Sequence, residues 1–155
     1  MTDPAPNRKS RYADFEDQRI KHLEMIQAVV ARLGGNGFFI KGWAVTIAGA
    51  FVALAVNAED CSFARVGVAA SVVFWGLDGY FLRAERRFRA LGDRVRKFDG
   101  MIEPFFMGAT AKCFVQEFDR RKRWQMSWGG AIVSWTLLIF YGALVGTGLA
   151  ASYLV

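Results

Sequence analysis

The stretch VGVAASVVFWGLDGYFLRAERRFRALGDRVRKF, residues 66–98, decides how this chain is read. Its first seventeen residues, Val66 to Leu82, carry one formal charge, Asp78. As a helix they cover about 26 Å, close to the roughly 30 Å hydrocarbon core of a bilayer. From Arg83 onward charge crowds in, yet an apolar residue keeps returning at steps of three and four: Phe74, Leu77, Phe81, Ala84, Phe88, Leu91, Val95, Phe98. Within lipid such a seam says nothing, but among arginines it needs a packing partner. The spacing predicts one helix that leaves the membrane and continues for about four turns as a stalk. Glu85 with Arg89 and Asp93 with Lys97 are acid-to-base i,i+4 pairs that support it, and Gly100 and Pro104 end it.

Two further stretches are as apolar. Phe38 to Val56 holds only Lys41, and Trp128 to Val155 holds no charge in twenty-eight residues. The latter would be about 42 Å long if straight, so it must tilt, kink near its glycines or protrude. The expected fold class is an all-α integral membrane protein: three transmembrane helices, the second extended as a cytoplasmic helix, with further amphipathic cytoplasmic helices. The chain divides accordingly into 1–36, a cytoplasmic segment with an amphipathic helix; 37–83, a transmembrane hairpin; 84–126, a basic cytoplasmic region; and 127–155, a third span. At 155 residues, 54% hydrophobic and 22% charged, the chain is too apolar to be disordered, and two cysteines are too few for a disulfide scaffold or a Cys-rich zinc module.

The basic residues set the orientation. Six Lys/Arg precede Phe38 and twelve lie between Arg83 and Met126, whereas the loop 57–65 has only Arg65, opposed by Glu59 and Asp60. The positive-inside rule places the N-terminus and the long basic segment in the cytoplasm and the C-terminus outside. The first 36 residues lack the apolar core of a cleaved signal, so they are expected to be retained. Trp43, Tyr80, Trp124 and Trp128 fall near the cytoplasmic interface, as aromatic belts do. Cys61 and Cys113 then lie on opposite sides and cannot bridge within one chain, while a Cys61 to Cys61 bridge between copies is compatible with an oxidising compartment.

Upstream, Leu23, Ile26, Val30 and Leu33 give an amphipathic helix over roughly 14–33, interrupted by Gly34, Gly35, Asn36 and Gly37. The glycines read either as a hinge before the first span or as a site of close backbone approach, the hinge being favoured. Residues 105–118, with Lys112 and Glu117, are too polar and short for a fourth span and read as a helix packed on the cytoplasmic helices or lying in the interface. His22, the single histidine, is placed on the solvated face of the first helix.

Lys41 and Asp78 lie at matching depths, about 4–6 Å inside the cytoplasmic boundary. Either they form an ion pair, or Lys41 snorkels to the headgroups while Asp78 faces water. Small residues recur along the first span (Gly42, Thr46, Gly49, Ala53) and the third (Gly142, Gly146, Ala150), faces that permit close helix packing or line a narrow pore, with packing favoured. Three helices supply more contact surface than one protomer uses, so a homo-oligomeric ring is expected. In a ring, Glu59 and Asp60 become an acidic pore mouth, and Arg86, Arg87, Arg89, Arg94, Arg96, Lys97, Arg120, Arg121 and Arg123 a basic crown. The crown serves topogenesis and membrane lipids, or binds a nucleotide or oligonucleotide. No glycine-rich nucleotide-binding motif, nucleophile elbow or histidine metal site is present, so neither catalytic residues nor a metal or other cofactor is expected.

The order of elements over 20–98, together with ARLGGNGFF (31–39) and FWGLDGYFLR (74–83), resembles the SLATT-type and RipA-like small oligomeric bacterial membrane proteins, including the Hailong effectors. The resemblance covers about half the chain, and the third span departs from the two-span pattern. It implies a ring-shaped channel that permeabilises the inner membrane during phage infection, gated at its cytoplasmic crown by a nucleotide or DNA-oligomer signal from a partner signalling enzyme. The other reading is a non-conducting membrane scaffold or regulatory subunit.

Overall fold

The computed structural model describes residues 8–97, 105–109 and 118–154, the first six of them by backbone alone. The described chain is all-helical: α1 (Arg8–Ala58), α2 (Cys61–Arg96), α3 (Arg120–Gln125), α4 (Trp128–Ile132) and α5 (Trp135–Leu154). Three of these, α1, α2 and α5, are long and apolar enough to cross a membrane. At the usual rise α1 is about 76 Å long, α2 about 54 Å and α5 about 30 Å.

α1 and α2 form an antiparallel hairpin closed by a two-residue turn. Glu59 adopts a left-handed φ of 52°, and Asp60 caps α2 by accepting the Ser62 backbone N–H at 2.8 Å. Small residues let the two helices approach: a Cβ added to Gly67 would lie 2.9 Å from the Phe51 Cβ. α5 packs on α2 in the same manner, since a Cβ at Gly148 would meet Val68 Cγ2 at 2.6 Å. α2 is therefore the central helix, and the core is divided into three levels along it. Ala55, Ala64 and Ala151 pack near the turn; Ala44, Leu137 and Tyr141 lie in the middle; Ile26, Leu91, Val95 and Ala109 hold the far end.

The far-end cluster gives the two amphipathic stripes their partner. Leu23, Ile26 and Val30 of α1 meet Phe88, Leu91 and Val95 of α2. Leu77 of the same seam is 45% exposed. Many large apolar residues of the three long helices likewise face outward, including Phe38 (77%), Val73 (63%) and Trp135 (77%), the kind of surface found where proteins meet a membrane or another protein.

Four expectations are corrected. The glycines at 34–37 neither hinge nor interrupt α1, which runs through them as one helix. α2 lies alongside, with Gly34 near Glu85 and Gly37 near Asp78, so the close-approach alternative is the one realised. The third apolar stretch is two helices, broken at Val133 and Ser134, rather than one. His22 is buried, 3% exposed, its Nε2 lying 3.0 Å from the Phe106 carbonyl, because residues 105–109 cover it. Those five residues are not helical, although Phe106, Met107 and Ala109 do pack against the α1–α2 pair. α2 ends at Arg96 with Lys97 as its cap, ahead of the expected stop at Gly100 and Pro104; those two residues, the expected helix over 110–117, and Phe98, Lys112, Cys113 and Glu117 lie outside the described residues.

Candidate functional site

Asp78 faces α1 and α5 from the middle of α2. Its side chain is 3% exposed and its Oδ2 lies 2.5 Å from Lys41 Nζ, whose side chain is 27% exposed. The Tyr141 hydroxyl donates to the same oxygen at 3.3 Å. All three long helices thus meet at one carboxylate. Gly37, one turn before Lys41, leaves room for it: a Cβ there would stand 3.1 Å from Asp78 Oδ1. Tyr141 is held flat against Trp75, their rings stacked 6.1 Å apart. A cleft of about 180 Å³ leads to this centre past Glu85, Arg86, Ser134 and Thr136, enough for several waters. A buried charge is stable only when paired and hydrogen-bonded, as here.

Beyond the cleft, three arginines of α2 reach across to the backbone where α3, α4 and α5 join. Arg86 Nη1 donates to the carbonyls of Gln125 (3.0 Å) and Gly130 (2.9 Å), and its Nη2 to Ser134 Oγ (3.0 Å). Arg83 and Arg87 both donate through Nε to the Met126 carbonyl, at 3.2 and 3.3 Å. Trp75 Nε1 donates to the Ile132 carbonyl at 3.1 Å. These are the carbonyls that short helices leave without partners at their C-terminal ends, so α2 satisfies the broken backbone. Burial lowers the Arg86 guanidinium from its ordinary value, which neighbouring Glu85 counters, and burial with neighbouring Arg83 lowers Arg87. Arginine remains charged after such shifts.

Ser127 holds the α3–α4 corner, donating to the Trp124 carbonyl at 2.6 Å and accepting the Gly130 N–H at 3.2 Å. Only glycine fits at 130, where a Cβ would fall 2.0 Å from the Trp124 oxygen. The arginine clamps therefore fix α3, whose own Arg120, Arg121, Lys122 and Arg123 are all exposed.

The predicted basic crown separates into groups. Arg86 and Arg87 grip carbonyls; Arg89 pairs with Glu85 at 2.5 Å and Arg96 with Asp93 at 3.1 Å; Arg94 lies 4.8 Å over the Phe118 ring. Lys97 caps the end of α2 and is exposed. Arg89, Arg94, Lys97 and Lys122 line one cleft of about 760 Å³ between α2 and the α3–α5 junction, whereas Arg120, Arg121 and Arg123 lie outside it. At the opposite end of α2, Glu59 and Asp60 are exposed in the hairpin turn. Hydrogen bonding from Ser62, its backbone N–H foremost, holds the Asp60 carboxyl below the usual range. Cys61 beside them is half-buried.

Among the described residues the small-residue faces make no helix contacts. Gly42, Thr46, Gly49 and Ala53, and likewise Gly142, Gly146 and Ala150, are exposed, and added Cβ atoms at the four glycines would meet nothing within 4 Å. Sequence reasoning missed the arginine clamps and the glycine contacts at Gly67, Gly130 and Gly148. A signal for the clamps exists only in the coincidence of an arginine-rich stalk with a Ser127–Ser134 segment rich in glycine. No group of three or more His, Cys, Asp or Glu suited to a metal ion occurs among the described residues. Compared with protein-family models, curated proteins and solved structures, the chain matches none.

Proposed function

We propose that the chain forms a homo-oligomeric channel or pore-forming effector of the bacterial inner membrane, N-terminus in the cytoplasm, acting in anti-phage defence by abortive infection. Its control element is the basic cytoplasmic region, which takes an anionic nucleotide or DNA-oligomer signal delivered by a partner enzyme. One observation supports this reading above the rest: α3 presents four exposed cations on a short helix that α2 grips through Arg83, Arg86 and Arg87. An anion drawn to Arg120, Arg121 and Arg123 pulls on backbone bonded directly to α2 and to the start of α5. Displacement there reaches the Lys41–Asp78–Tyr141 centre, because Arg86 and Ser134 line the cleft leading to it. In a ring the cations repeat around the axis, which multiplies affinity for an oligomeric ligand. The chemistry read here is gating, not catalysis.

A second reading, a non-conducting scaffold, draws support from the packing. Ala44, Leu137 and Tyr141 fill the space between the helices, so a conducting path requires several copies.

The test is purified protein in liposomes, with ion flux measured before and after addition of nucleotides and short DNA. The channel reading expects flux that responds to the ligand, and loss of the response but not of basal flux in Arg120→Gln/Arg121→Gln/Arg123→Gln. Silence in every condition, with no toxicity on expression, favours the scaffold.

A further inference from the structure

The cleft of about 760 Å³ between α2 and the α3–α5 junction differs from one end to the other. One end lies beside Ser134, which Arg86 fixes, and is walled by Met126, Val133 and Trp135. Val133 is 52% exposed and Trp135 77%. Following α2 from Arg86 to Lys97, about 16 Å by helical rise, the lining turns cationic, with Arg89, Arg94, Lys97 and Lys122.

The carboxylates in the lining are both engaged. Asp93 pairs with Arg96 at 3.1 Å, and Asp119 accepts the Arg120 backbone N–H at 2.8 Å as the cap of α3. Arg86 is held by carbonyls. Lys97 and Lys122, both exposed, form no ion pair with any described residue. Arg89 is paired with Glu85 at 2.5 Å, so Lys97 and Lys122 carry the positive character of that end, and the other end has an uncovered apolar wall.

We propose that this cleft binds an anionic phospholipid, its phosphate between Lys122 and Lys97 and its acyl chains running past Val133 and Trp135 along the start of α5. A soluble phosphate accounts for the cations but leaves the apolar wall in water. A zwitterionic lipid uses the wall but gains little from the cations. Only a ligand carrying both parts matches the lining, and its apolar end belongs at the first turn of a helix of membrane-spanning length. Tryptophan at such a boundary suits the glycerol level of a lipid, and basic pockets between spans take anionic headgroups. The volume lies within the range of ligand sites. This inference rests on the membrane placement proposed above and is independent of conduction.

The full chain is reconstituted into phosphatidylcholine vesicles containing increasing phosphatidylglycerol with brominated acyl chains, and tryptophan fluorescence is followed. Expected is saturable quenching beyond that given by brominated phosphatidylcholine, reduced in Trp135→Phe. Lys97→Gln and Lys122→Gln, exposed positions whose helicity is checked by circular dichroism, each weaken the lipid affinity about fivefold, and glycerol phosphate does not compete. Equal quenching by both lipids, or affinities unmoved by either charge variant, overturns the proposal. Competition by glycerol phosphate assigns the cleft to a soluble phosphate and overturns it as well. A chain that does not float with vesicles at all overturns the membrane reading itself, and the lipid site with it.

Discussion

Removing either partner of the Lys41–Asp78 pair should destabilise the protein, but unequally. Asp78 is almost wholly buried and Lys41 about a quarter exposed. Lys41→Met leaves the carboxylate with the Tyr141 hydroxyl as its neighbour. Stranding a buried charge costs about 3–5 kcal/mol, and the cleft beside it, wide enough to admit water, puts the expected value near the lower limit, about 3 kcal/mol. Asp78→Asn keeps the shape and the tyrosine contact and strands only Lys41, which can turn toward the cleft, for a cost of about 1–1.5 kcal/mol. The double variant removes both charges and should recover about 3 kcal/mol relative to the sum, since replacing both partners of a buried pair is close to neutral. Thermal loss of helicity in mild detergent measures all three. Equal losses for the two single variants, or a double variant as unstable as their sum, would refute the reasoning. The exchange Lys41→Asp with Asp78→Lys provides an independent check, expected to restore more stability and assembly than either reversal alone.

Arg86→Gln, which removes the donors to Gln125, Gly130 and Ser134, should cost about 3 kcal/mol and expose the α3–α4 corner to limited proteolysis. Gly130→Ala drives a Cβ into the Trp124 carbonyl and should cost about 3 kcal/mol, against about 1 kcal/mol for the lost cap in Ser127→Ala, both read from unfolding curves. Gly148→Ala, with Val68 in its way, should lower stability by about 1–3 kcal/mol, whereas Gly142→Ala and Gly146→Ala, which meet nothing, should raise it by up to about 1 kcal/mol and, if the faces serve the proposed oligomer, alter its sedimentation. Asp60 has a folded-state carboxyl held below its unfolded value, so its capping contribution is complete above the unfolded value, near pH 4, and disappears as pH falls through the folded one. Acidification should fray the start of α2, detectable as faster amide exchange at Ser62 and Phe63, and Asp60→Asn should abolish that pH dependence.

What could be read in advance follows from what each signal depends on. The three long helices are legible because span-length apolar runs and charge boundaries are properties of the chain alone. The contact between Lys41 and Asp78 is legible because each lies about one turn inside its own apolar run, and antiparallel runs joined by a short turn bring those turns level. The stripe from Leu23 to Val30 and its partner from Phe88 to Val95 are readable for the same reason, as apolar residues among charges require one another. The glycine run at 34–37 misleads because propensity describes an isolated helix, where Gly costs about 1 kcal/mol per position, and here α2 lies against that face. His22 was misplaced because the residues covering it come from more than eighty positions away. The arginine clamps are hard to read because, beyond the coincidence of the arginine-rich stalk with the Ser127–Ser134 segment, nothing marks which guanidinium among many will meet carbonyls and not anions. Glycine stripes spaced by three and four are equally ambiguous: the regular ones face outward, while the actual contacts use Gly67 and Gly148, which belong to no stripe.

The unbroken course of α1 has a mechanical consequence. Residues 8–37 make up about 45 Å of its length, and the apolar remainder to Ala58 about 30 Å. A rod with those proportions is a lever whose fulcrum lies near Lys41. Sideways force on its distal arm becomes torque on the apolar remainder, undiminished by any flexible joint, so under the membrane placement proposed above a touch far from the bilayer tilts the part within it.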